Sequence, residues 1–403
     1  MSASNSALAI LRRSSSKLGL IFTANGRPLA LHGHQKVFYG AKTATKQKLD
    51  WNTAVSEAER VVGYQTSLLS LRWLLSDEVE SFALHLRKLV GSNHPILKTA
   101  KNLIYHGRNY TQAWGLIVLL VSKAAGHLNA EAAEDEKSAG LLNSQRALAQ
   151  VTEMIRTSHL VHKGLVNMSK DDPTFLAQLD DMTFGNKIAL LGGDYLLGNS
   201  SAELAALRNQ DLVELMSSAV KDLTEAEFIG RRDSQNNPLP SIPPADRTNY
   251  AVTEWTLRNV LSAGALLGKS CKGTLKLARH DEHVQEHGHD FGKHLALAWQ
   301  ACLDLSPFIA EDRNTAFDLC SAPVMYHIEH DPSILMEIDK GLESVHNVDY
   351  AKVYDIILSG PGIELTRQLQ RKHSQRALEV LSMFQESDAR TALSNIIAAM
   401  EDF

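Results

Sequence analysis

The sequence predicts an all-α protein, a single large helical bundle behind a disordered N-terminal leader, and three observations carry that prediction. Apolar residues recur at helical spacing in long blocks from about residue 50 onward, little of the chain alternates as a strand would, and 11 prolines interrupt 403 residues. The blocks run roughly over 52–90, 95–126, 141–169, 184–229, 250–312 and 315–403. Ser76-Asp77-Glu78 and Ser374 read as helix starts, since short oxygen-bearing side chains satisfy the first free amides. Polar stretches at 127–140 and 230–249 read as linkers, the second of them (GRRDSQNNPLPSIPPADRTN) as a flexible loop. Neither is long enough to separate domains, so 50–403 is expected to be one helical domain and 1–49 its leader.

Charge narrows the function classes. The net charge of -5 offers no clustered basic field, which excludes nucleic acid as a partner. Cys271, Cys302 and Cys320 are too scattered for a disulfide framework and read as reduced core thiols. Residues 1–49 hold eight bases (Arg12, Arg13, Lys17, Arg27, Lys36, Lys42, Lys46, Lys48), six serines and no acid. The remainder holds 33 bases against 46 acids. A basic, serine-rich, acid-free head is the pattern of a mitochondrial transit peptide, so import into the matrix is expected. The best apolar run, Trp114 to Val121, stops at Ser122 and Lys123, well short of the roughly 18 residues a span needs. The chain is thus expected to be soluble or peripheral to the inner mitochondrial membrane.

Three segments carry the chemistry: LVHKGLVN at 160–167, FGNKIALLGGDYLL at 184–197 and FGKHLALAWQACLDLSP at 291–307. In them the chain resembles the trans-prenyl diphosphate synthases, and within that family the non-catalytic second subunits of long-chain enzymes. The resemblance covers roughly 52–403. It implies the isoprenoid synthase type of helical fold and two facing DDxxD motifs that hold magnesium and an allylic diphosphate. Aspartates at i and i+4 share one helix face, so two such helices can clamp the metal against the leaving group. His162, Gly185, Asn186, Lys187, Gly193, Asp194 and Gln300 stand at positions that match the family.

The motifs themselves are degenerate. The first falls on Lys163, Gly164, Leu165, Val166 and Asn167, with no aspartate left; the second falls on Leu303, Asp304, Leu305, Ser306 and Pro307, with one. An ammonium about 4 Å from a divalent ion would cost roughly 8 kcal/mol at an effective dielectric of ~20, unless Lys163 swings away. The homoallylic diphosphate site implied by the resemblance falls on Tyr110 to Gly115, where Gln112, Trp114 and Gly115 replace its basic residues. The family's Lys-Thr pair falls on Ala263 and Gly264. Asp171-Asp172 and Asp180-Asp181 lack a third aspartate at the right spacing and read as solvated turn residues.

A rival metal pattern lies at His280, His283, His287 and His289 with Glu282, Glu286 and Asp290, since His283 and His287 are i and i+4. No Glu follows His283 as in HExxH, so a solvated helix face is expected, as for His327 and His330. Ser158, five residues before the first motif, matches a place where small residues leave a product channel open; a plain helix contact is the alternative.

The resemblance then implies a chain with no catalytic residue, metal or cofactor of its own. Magnesium is expected on a catalytic subunit 1, with which this chain would form a heterotetramer making the isoprenoid side chain of ubiquinone. Segments 95–126 and 141–169 are the expected interface or core. The alternatives are a residual prenyltransferase with a relocated metal site and a helical scaffold or lipid-handling protein.

Overall fold

The computed structural model describes residues 50–63, 94–96, 99, 114–126, 137–138, 140–166, 179–234, 236–310, 313 and 315–401. Residues 48–403 form one compact unit, and the expected leader, the Ser76 helix start and most of the 127–140 linker lie outside the described residues. The described chain is helical: α1 (Trp51–Val62), α2 (Trp114–Ala125), α3 (Asn143–His162), α4 (Leu179–Ala206), α5 (Gln210–Ala226), α6 (Tyr250–Asn259), α7 (Ala265–Leu277), α8 (Glu282–Ile309), α9 (Ala322–His330), α10 (Tyr350–Leu358), α11 (Gly362–Leu381) and α12 (Asp388–Met400). Two antiparallel two-residue ladders, Lys137–Ser138 with Leu141–Leu142 and Arg231–Arg232 with Pro238–Leu239, are the only strands among the described residues. No described helix is long and apolar enough to cross a membrane.

Two blocks that read as continuous are each broken once. Between α4 and α5, Arg208 turns left-handed (φ 51°) and the Asn209 side chain accepts from the Leu212 amide at 3.0 Å, starting a new helix. Between α7 and α8, Arg279 does the same (φ 62°) and Asp281 accepts from the Val284 amide at 2.9 Å. Conversely, Ser374 starts nothing. It lies buried inside α11, where its Oγ accepts from Gln370 Nε2 at 2.9 Å, so the helix runs through it. Asp180 and Asp181 are exposed in the first turn of α4 rather than in a loop, where carboxylates favour the positive end of the helix.

α2 carries the core. Trp114 to Ser122 is buried without a break, so this helix is interior within one chain, not a free face for a partner. Neighbouring helices are keyed to α7 by polar pairs inside the apolar packing. Ser122 Oγ and Thr274 Oγ1 are 2.6 Å apart, Thr152 Oγ1 donates to Ser270 Oγ at 2.8 Å, and Gln145 Nε2 donates to the Thr274 carbonyl at 3.1 Å. A second cluster at the other end gathers Phe308, Phe317, Val324 and Tyr354, with Phe308 and Tyr354 stacked at 5.3 Å.

The 230–249 segment is not the flexible loop its composition predicts. Arg231 pairs with Asp339 at 2.9 Å, and Asp233 accepts from the amides of Asn237 (2.7 Å) and Val345 (2.9 Å). The buried Arg258 donates to the carbonyls of Ile229 and Leu239, both at 3.2 Å. Tertiary hydrogen bonds fix a segment whose own sequence is polar and rich in proline.

Candidate functional site

The retained motif positions form a clamp on the segment that ends α3. Asn186 on α4 donates from Nδ2 to the Val166 carbonyl and accepts the Val166 amide at Oδ1, both at 2.8 Å. The same Oδ1 lies 3.1 Å from His94 Nε2. Because His94 Nδ1 accepts from the Ile96 amide at 3.1 Å, the proton of this buried imidazole sits on Nε2, and burial lowers its pKa. Gly185 makes room for that ring: a Cβ there would come within 2.3 Å of His94 Cδ2. Gly193 does likewise for His162, whose Nε2 would lie 2.1 Å from a Cβ. His162 Nε2 reaches the Leu190 carbonyl and Asp194 Oδ1, each at 3.3 Å. Ser158, wholly buried, donates to the Gly193 carbonyl at 2.8 Å, so the position suggested for a channel holds a helix contact. Lys187 is exposed on the outer face of α4.

The first motif opens where α3 ends. Lys163 pairs with Glu227, at the end of α5, with Nζ to Oε1 at 3.1 Å. Arg232 (3.8 Å) and His159 (3.7 Å) surround the same carboxylate. Gly164 is buried, and Asn167, with Asp171 and Asp172, lies outside the described residues. A single carboxylate among several cations is the reverse of a magnesium site.

At the second motif the surviving aspartate is fully committed. Asp304 is buried within α8; its Oδ2 accepts Trp255 Nε1 at 2.7 Å and the Ala322 amide at 2.9 Å, and its Oδ1 accepts Gln300 Nε2 at 2.8 Å. Burial pushes its pKa up to about 7 even though these hydrogen bonds oppose the shift. Asp304 and Gln300 are therefore a structural pair that fixes the start of α9 against α8 and α6. Leu303 is partly exposed and Pro307 sits inside α8. The residues present at the two motifs do not fit a divalent cation, because neither offers a free carboxylate.

The homoallylic positions have been rebuilt too, in a way the sequence reading missed. Gln112 lies outside the described residues, but Trp114 and Gly115 open α2, and the Gly115 amide donates to buried Glu153 Oε1 at 2.6 Å. The Arg156 guanidinium lies over the Trp114 ring, 4.1 Å from its centre. Glu153 and Arg156, opposite charges at i and i+3 on α3, were the available signal. Ala263 and Gly264 close a π-helical turn, Val260–Gly264, between α6 and α7.

The histidine-rich start of α8 divides. The rings of His283 and His287 lie 4.2 Å apart, Lys272 bridges Glu282 and Glu286 at 2.6 and 2.5 Å, and among the described residues no group of three or more His, Cys, Asp or Glu is placed to hold a metal. His280 is buried instead of solvated, with Nε2 2.9 Å from the Gly126 carbonyl, and His327 is buried as well. Their neighbours from distant segments, not their local polarity, decide this.

Comparison with known proteins bears on the whole of this region. The sequence profile of the family described as Polyprenyl synthetase matches residues 109–356, which include all four altered elements. The chain is 40% identical over 370 residues to the human protein named all trans-polyprenyl-diphosphate synthase PDSS2, covering 89% of this chain and 90% of that one. The chain belongs to the polyprenyl synthetase family. A probable mitochondrial hexaprenyl pyrophosphate synthase of Yarrowia lipolytica is 25% identical over 90% of this chain and 91% of its own length. Among solved structures, a polyprenyl synthase from Caulobacter crescentus, complexed with calcium and isoprenyl diphosphate, superposes with a TM-score of 0.60 at 16% identity. It covers 89% of this chain and 99% of that one, and shares the polyprenyl synthetase fold.

Proposed function

We propose that this chain is the non-catalytic subunit of a heteromeric trans-polyprenyl diphosphate synthase that makes the isoprenoid side chain of ubiquinone in mitochondria. The observation that carries this reading is the state of Asp304, the one motif carboxylate left, whose oxygens are occupied by Trp255, Ala322 and Gln300. The family membership and the PDSS2 relatives support the pathway, and the mitochondrial names of more distant relatives support the compartment. Lys163 beside Glu227 supports the loss of metal at the facing motif.

For the partner, a catalytic subunit 1 in a heterotetramer, the supporting feature is the outer face of α4. Leu190 and Leu191 are about half exposed there (48% and 54%), flanked by exposed Lys187 and Asp194. Two adjacent leucines framed by charges suit a docking face with an apolar centre and a polar rim.

The test is incorporation of labelled isopentenyl diphosphate into long-chain product with magnesium, using this chain alone, the catalytic subunit alone and the two co-expressed. Product from the mixture only is the expected result. Product from this chain alone would overturn the reading. Replacing Leu190 and Leu191 by Lys is expected to abolish co-elution of the pair while the helical circular dichroism of this chain is kept.

A further inference from the structure

Lys123, in the last turn of α2, differs from the other partly buried lysines. Lys269, Lys272, Lys276 and Lys293 keep 18–27% of their side chains exposed, and each is held by a carboxylate at 2.5–2.8 Å. Lys123 has no carboxylate within ion-pair distance among the described residues. Its Nζ donates instead to the Val61 carbonyl, at 2.7 Å, in the last turn of α1. Burial lowers its pKa and the charge of Arg146 on α3 adds to that, while Asp388 on α12 opposes it.

Beside this amine lies a cavity of about 770 Å³ between α1, α2 and α12. Val61, Ala389 and Ala392 give it apolar walls, Asp388 lines it, and the exposed Arg60 stands at its edge. Trp114 and Lys123 lie toward opposite ends of α2, and Gly126, just beyond Lys123, meets His280 ahead of the start of α8. The motif positions lie at the ends of α3 and α8, so the cavity is at the far end of the bundle from both.

An unprotonated amine is a nucleophile, and desolvation without a counter-ion is one way a protein makes a lysine into one. We propose that Lys123 is an acylation site, modified by an acyl thioester of the coenzyme A type that enters this cavity. Nζ attacks the thioester carbonyl, the C–S bond breaks, and the proton of the amine goes to the departing thiolate, so an amide and a free thiol form with no further reactant. The product fits the same place. A secondary amide keeps one N–H, which continues to donate to the Val61 carbonyl, and the acyl group lies in the cavity against Ala389 and Ala392. What is lost is the positive charge, which favours the carbonyl end of α1. The inference does not depend on the function proposed above.

The experiment is incubation of the folded full chain with acetyl-coenzyme A, with no acetyltransferase present, followed by peptide mass spectrometry of each lysine against time. Lys123 is expected to be acetylated several times faster than the exposed Lys187, Lys221 and Lys372, and its rate should saturate with reagent while theirs rise in proportion to it. Unfolding in urea should abolish the difference, because it resides in burial and in the cavity. Asp388→Asn removes the carboxylate that stabilises the protonated amine, and should raise the Lys123 rate severalfold. Arg60→Gln should weaken saturation by acetyl-coenzyme A and leave the reaction with S-acetyl-N-acetylcysteamine, a thioester without phosphates, unchanged. A Lys123 rate no greater than that of the exposed lysines, an advantage that survives in urea, or a rate that does not rise in Asp388→Asn would each overturn the proposal. So would an Arg60→Gln effect equal for the two thioesters, which would remove the coenzyme A class of reagent.

Discussion

The two motif regions both lack the family's run of aspartates and are built in opposite ways. At the first, a half-exposed Lys163 (48% side-chain exposure) meets Glu227 at the surface, where water screens the pair. At the second, Asp304 is buried and three donors from two other helices and its own converge on it. A motif position can therefore hold either a replaceable surface contact or an irreplaceable core contact, and the difference is set by depth.

Substitutions should separate the two ends by size of effect. Asp304→Ala leaves Trp255 Nε1 and the Ala322 amide buried without an acceptor, and is expected to lower stability by about 3 kcal/mol or more, read as the urea midpoint. Asn186→Ala, which strips both hydrogen bonds from Val166, is expected to cost about 2 kcal/mol and to raise hydrogen exchange at Val166. Lys163→Ala should change stability by less than about 1 kcal/mol, and the change should shrink in high salt. If Lys163→Ala proved as costly as Asp304→Ala, the contrast between surface and core would fail.

Titration sharpens the same contrast. Asp304 has a folded pKa raised from 3.8 to about 7, so the folded state holds the proton more tightly and loses relative stability as pH rises through that window. Asp304→Asn removes this dependence. The melting temperature of the variant relative to the parent should rise as pH goes from about 4 to 7, and a flat difference would contradict the assignment. His159, His294 and His373 have folded pKa values lowered from 6.5 to about 4, 4 and 3 by burial, so they act in the other direction: stability falls as pH drops below 6.5. The His294 and His373 rings share an Nδ1 to Nδ1 contact of 2.8 Å, which requires at least one of them to be neutral. Replacing His373 by Asn should therefore flatten the acid side of the profile, the smallest of these effects.

The sequence by itself determined the helical class and the absence of aspartates at the motif positions other than Asp304. Apolar periodicity is a local property, and whether a carboxylate stands at a motif position is a matter of residue type alone. The caps at Asn209 and Asp281, which the apolar blocks ran past, came from the structure instead. What Lys163, Asp304 and the 230–249 segment do was decided only by the tertiary structure. Glu227, Trp255 and Ala322 lie far along the chain from the groups they engage, and burial, which moves Asp304 to about 7 and hides His280 and His327, depends on packing that no local pattern encodes. Charge at a position is written in the sequence; the partner that gives the charge its meaning is chosen by the fold.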